Sequence, residues 1–167
     1  TILASVDAHL SMKKPIKRCA GATSNSFTVD IGLAEYPLLF VKEITKYAEY
    51  DVFERELFIA SILNQFDWYP TLLYTNRPRK TLIFRGVGEP ITCKNKPSDA
   101  RQQIERMLAD MKQVNVQHND IKQGELLVSA GGKMYLCDFG WASVINELGC
   151  NIGIWNVPNT EKPGGFY

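Results

Sequence analysis

The sequence predicts an α+β chain of two unequal lobes. Three observations carry this reading. Short apolar runs of strand length crowd residues 16–84, with one stretch of helical spacing inserted among them. A Gly- and Pro-rich break follows at 86–90, and beyond it come one more helical stretch and a hairpin pattern.

In chain order, Ile2, Leu3, Val6, Ala8 and Leu10 fit either element, so residues 1–12 stay open. From Ile16 a short strand runs to Gly21. The polar run Thr23-Ser24-Asn25-Ser26 is a tight loop, and Phe27 to Ile31 alternates apolar with polar as a strand does. Leu38-Leu39-Phe40-Val41 is a further strand ending in Lys42. Over 50–64, Val52, Phe53, Leu57, Ile59, Ala60 and Leu63 recur at helical spacing, with Glu54, Arg55 and Glu56 between them. Pro70 closes that region. Leu72–Thr75 and Thr81–Phe84 read as strands about an Asn76–Arg79 turn. Gly86, Gly88 and Pro90 mark a linker. A helix is expected from Asp99 to about Gln113, capped by Ser98 or Asp99, with Ile104, Met107, Leu108 and Met111 on its inner face. Leu126–Val128 and Met134–Cys137, joined by Ser129-Ala130-Gly131-Gly132, form a hairpin. After Trp141 the pattern becomes irregular.

The totals fit one globular domain: 167 residues, 45% of them hydrophobic, suffice for a core. A formal charge of +1 leaves no global electrostatic case for nucleic acid or a membrane surface. The basic cluster Lys13, Lys14, Lys17 and Arg18 reads as a solvated segment. Cys19, Cys93, Cys137 and Cys150 have no metal-ligand spacing, and Cys137 reads as a buried thiol; a reducing, cytoplasmic compartment is expected. No run approaches the roughly 20 apolar residues of a membrane span, and the N-terminus lacks the regions of a signal peptide.

The chemistry flanks the hairpin. His118-Asn119-Asp120-Ile121-Lys122 precedes it and Asp138-Phe139-Gly140 follows it. A hairpin keeps its ends close, so Asp120 and Asp138 are expected at one mouth. Phosphoryl transfer needs one carboxylate to orient and deprotonate an acceptor hydroxyl and another to hold the metal bridging the phosphates. Lys122 would neutralise charge developing on the transferred group. The competing reading is a pair of turn-capping aspartates.

HNDIKQGELL resembles the H-R-D-L-K-x-x-N catalytic loop of the protein-kinase superfamily, and LCDFG resembles its magnesium-binding motif. The resemblance implies a two-lobe kinase-like fold: a small antiparallel lobe with one helix over about 1–86, a hinge at 87–91, and a reduced helical lobe over 92–167. It implies ATP and Mg2+ as cofactors. Lys42 of LLFVK matches the lysine that binds the α- and β-phosphates, with Glu56 as its helix partner and Glu54 the competitor. No G-x-G-x-x-G is present. Gly21, Thr23, Ser24 and Asn25 are instead similar to the nucleotide loop of the aminoglycoside phosphotransferase and choline kinase group. TLIFRGVGEPIT resembles a last small-lobe strand entering the hinge: Phe84 would be the gatekeeper, the Arg85–Val87 backbone would bind adenine, and Leu127 would form its floor. This hinge is similar to that of bacterial kinases acting on lipopolysaccharide sugars.

Two departures qualify the resemblance. The second metal ligand, normally Asn, is Glu125 here, a hard oxygen donor suited to magnesium but longer and charged. Only residues 141–167 follow Gly140, without an A-P-E motif, so Ile154-Trp155 and Phe166-Tyr167, a partner or a second copy is expected to cover the reduced lobe. The implied activity is a phosphotransferase acting on an alcohol. Lys122 favours a protein Ser/Thr acceptor; Asn25 and Asn119 favour a sugar or other small alcohol; Glu125 and the missing helices favour a non-catalytic pseudokinase.

Overall fold

The computed structural model describes residues 17–20, 24–30, 38–45, 52–145 and 151–152, with the side chains of 17–20 and 151–152 left aside. Among the described residues it is a mixed α+β structure with antiparallel sheets and two α-helices. The chain divides into two compact units, Thr1–Ala48 with Thr71–Gly86, and Glu49–Pro70 with Val87–Tyr167.

The first unit contains a five-stranded antiparallel sheet. Its strands are β1 (Lys17–Ala20), β2 (Ser24–Val29), β3 (Leu39–Ile44), β4 (Leu72–Asn76) and β5 (Thr81–Arg85), in the order β1-β2-β3-β5-β4. Alternation decides the register: Leu39, Val41, Val29 and Ile83 share one buried cluster, with Phe27, Leu73 and Tyr74 packed against it. Lys42 therefore sits mid-sheet, opposite Ser26 on β2 and Leu82 on β5. The Asn76–Arg79 turn closes through the Arg79 N–H donating to Asn76 Oδ1 at 3.2 Å and the Lys80 N–H donating to the Arg77 carbonyl at 3.1 Å.

The first described element of the second unit is α1 (Val52–Leu63), which ends one residue before the predicted 64; residues 50 and 51 lie outside the described residues. Val52, Phe53, Ile59, Ala60 and Leu63 are buried as expected; Leu57 is half-buried, and Arg55 and Glu56 are buried although charged. The following segment anchors this helix. Trp68 donates its Nε1–H to Asp110 at 2.8 Å, and its carbonyl accepts the Leu136 N–H at 3.2 Å.

Helix α2 (Ala100–Gln113) buries Ala100, Ile104, Met107 and Met111; Leu108 is only half-buried. Asp99 occupies the N-cap position but makes no side-chain cap bond, because its Oδ1 accepts from Gln103 Nε2 one turn ahead at 3.0 Å. The predicted hairpin is β8 (Leu126–Val128) with β9 (Met134–Leu136), registered Leu126↔Leu136 to Val128↔Met134. A short strand β6 (Glu89–Pro90) pairs with β8. Gly88 is required there: a Cβ would lie 2.4 Å from the Val128 carbonyl oxygen. Beyond Trp141 the described residues are more regular than the pattern suggests. β10 (Ser143–Ile145) pairs with β7 (Val116–Gln117) on one side and β11 (Asn151–Ile152) on the other. Cys137, expected to be buried, is half-buried. Among the described residues no helix is long and apolar enough to cross a membrane.

Candidate functional site

The site grows from two strand ends held face to face. β7 delivers residues 118–122, β9 delivers 137–141, and β10 returns to pair with β7. His118 joins the two segments. The Asp120 N–H donates to its Nδ1 at 3.1 Å, so Nδ1 is unprotonated and the ring is neutral. Nε2 then carries the proton and donates to the Cys137 carbonyl at 2.8 Å. The fully buried ring meets Phe139 edge-on, centroids 4.6 Å apart. Phe139 is fixed on its other side by Tyr69, 5.6 Å away. Burial raises the Tyr69 hydroxyl well above its usual pKa, assisted by the Glu56 carboxylate and by Cys137.

Two left-handed residues shape the backbone: Asn119 at φ 69° and Asp138 at φ 62°. Asn and Asp tolerate this region better than other side chains, at a cost of about 1–3 kcal/mol that the surroundings must offset. At Asn119 the offset is visible. Its Nδ2 donates to the Trp141 carbonyl at 3.0 Å and to Ser143 Oγ at 2.9 Å. At Asp138, the Gly140 N–H approaches Oδ1 at 3.4 Å.

Four charged side chains converge here. Lys122 Nζ lies 3.0 Å from Asp120 Oδ2 and 3.9 Å from Glu125 Oε1. The hydrogen bond to Asp120 leads the causes that raise the Lys122 pKa, with Glu125 and Asp138 adding to it. Glu125 ends a 3₁₀ turn (Gln123–Glu125), and its carbonyl accepts the Cys137 N–H at 2.9 Å. Its side chain is only 9% exposed. Burial, then the Asp138 carboxylate, pushes its pKa up to about 7, against the pull of Lys122. Glu125 Oε2 is buried without a hydrogen-bond partner. A buried, unsatisfied carboxylate oxygen beside a second carboxylate fits a divalent cation, which would satisfy the lone pair and cancel the repulsion. Among the described residues no three His, Cys, Asp or Glu side chains form a complete metal nest. Magnesium suits such an open site, since it commonly takes one or two carboxylates and fills its octahedron with phosphate oxygens and water.

The remaining expected residues lie as follows. Lys42 is in the first unit, 4% exposed, and Glu56 is on α1 in the second, 2% exposed. Ser24 and Asn25 begin β2, Ser24 buried and Asn25 exposed; Gly21 and Thr23 lie outside the described residues. Arg85 is exposed, Val87 half-buried, and Leu127 half-buried opposite Tyr135 and Pro90. Sequence reasoning missed Arg55 and Ser143. Arg55 is fully buried, and its Nη1 donates to the Gly140 carbonyl. The only signal was its place next to Glu56. Ile154-Trp155 and Phe166-Tyr167 lie outside the described residues. Comparison with protein-family models and with curated proteins yields no match to this chain.

Proposed function

We propose that this chain is an ATP- and magnesium-dependent phosphotransferase with an alcohol as acceptor, of protein-kinase-like two-lobe fold. One observation carries the reading: Asp120, Lys122, Glu125 and Asp138 act on one another electrostatically at one end of the β8–β9 hairpin. Asp120 is the base that orients the acceptor hydroxyl and takes its proton, and Lys122 offsets charge developing on the phosphoryl group. Asp138 and Glu125 are the metal ligands; magnesium there supplies charge neutralisation on the nucleotide phosphates. Lys42 is assigned to the α- and β-phosphates and Glu56 to orienting it, both on the sequence resemblance.

The 3.0 Å contact of Lys122 with Asp120 supports a protein serine or threonine as acceptor, with a sugar or other small alcohol next. The test is transfer from γ-labelled ATP to generic protein substrates, sugars, choline and aminoglycosides. Asp120→Ala and Asp138→Ala should each lower turnover by about 10²- to 10⁴-fold. Turnover indifferent to both substitutions would overturn the assignment. The raised Glu125 pKa supports a second reading, a nucleotide-binding module without turnover. Thermal stabilisation by ATP, with no transfer to any acceptor, would favour it.

A further inference from the structure

Two buried side chains grip consecutive carbonyls just past Asp138. From α1, Arg55 Nη1 donates to the Gly140 carbonyl. From the Asp120 loop, Asn119 Nδ2 donates to the Trp141 carbonyl at 3.0 Å. The segment between is itself closed: the Ala142 N–H donates to the Phe139 carbonyl at 3.1 Å, and Ser143, fully buried, both accepts from Asn119 and pairs with Gln117. Both grips are long in sequence and short in space, the partners standing 85 and 22 positions apart in the chain.

Asp138 sits at the start of this gripped stretch at φ 62°, a conformation that relaxes unless its neighbours hold it. A guanidinium donor on a neutral carbonyl is a charge-assisted bond, stronger than a neutral pair. Arg55 also carries a burial cost that a merely structural position would meet more simply with an apolar side chain. We infer that Arg55 and Asn119 are positioning residues which, by holding the Gly140 and Trp141 carbonyls, fix the Asp138 carboxylate for its cation. The segment is thereby held by the chain's own side chains. The inference rests on the proposed role of Asp138 as a metal ligand.

The test uses the full chain with a non-hydrolysable ATP analogue and Mn2+, bound metal being read from loss of the free-ion paramagnetic resonance signal. Arg55→Lys and Asn119→Gly should each weaken Mn2+ binding by about 10- to 100-fold, the usual effect of losing an outer-shell partner. Affinity for the metal-free nucleotide should stay unchanged, which a general loss of structure would not allow. Glycine accepts the positive φ at position 119, so that variant decides if Arg55→Lys fails to fold. Hydrogen exchange on the unsubstituted chain adds a third reading: the Ala142 amide should be protected before any metal is added. Parent-like Mn2+ affinity in the variants, or exchange of Ala142 at the rate of an open loop, would overturn the inference. If the parent binds no Mn2+, or Asp138→Ala binds it normally, the metal-ligand reading fails instead.

Discussion

Glu125 pays for its position in protons. A carboxyl whose pKa rises from 4.5 to about 7 on folding binds more protons in the native than in the unfolded state between those values. Stability must therefore fall as pH rises through that window and level off above it, by up to roughly 3 kcal/mol. Glu125→Gln removes the titration. In urea unfolding with chelator present, the variant should gain on the parent between pH 5 and pH 8; an equal gap at both pH values would contradict the placement. His118 makes a second prediction at this scale. His118→Phe keeps a ring against Phe139 but leaves the Cys137 carbonyl and the Asp120 N–H without their partner. Two lost bonds in a buried setting should destabilise by about 2–4 kcal/mol, measurable as a lower denaturation midpoint.

At the scale of elements, β6 lies against β8 only because residue 88 has no side chain. Gly88→Ala would force a methyl group into the Val128 backbone, which cannot swing aside, and should cost about 1–3 kcal/mol, read as a lowered melting temperature. Elements such as β8 and β9 were legible because their apolar runs and turn residues are local. The inner face of α2 was legible too, at Ile104, Met107 and Met111, since periodicity is a one-helix property. The burial of Arg55 was not: charge alone places a residue toward water, and the Gly140 carbonyl that accepts from its guanidinium comes from far along the chain. β10 was missed for the same reason, as its three residues gain strand character from pairing with β7. At the site, the hairpin between His118-Asn119-Asp120 and Asp138-Phe139-Gly140 made it legible that the two segments lie together. The bonds that bend the backbone at Asn119 and hold Gly140 needed coordinates.

At the scale of the whole molecule, the proposed activity predicts linkage between ligand and stability. ATP with magnesium should raise the melting temperature, the added stability growing with the logarithm of free ligand over Kd and reaching about 2.7 kcal/mol at a hundredfold excess. Asp138→Ala should remove the magnesium-dependent part of that shift. An unchanged shift in the variant would argue that the metal is held elsewhere. The division of the chain carries a further consequence. Its backbone passes from one unit to the other at 48/49, at 70/71 and again at 86/87. Neither unit can be released by a single truncation, because residues 49–70 interrupt the first unit in sequence yet belong to the second. A protease nick near 70 should thus leave each fragment holding part of both units, so the two fragments should co-elute under native conditions.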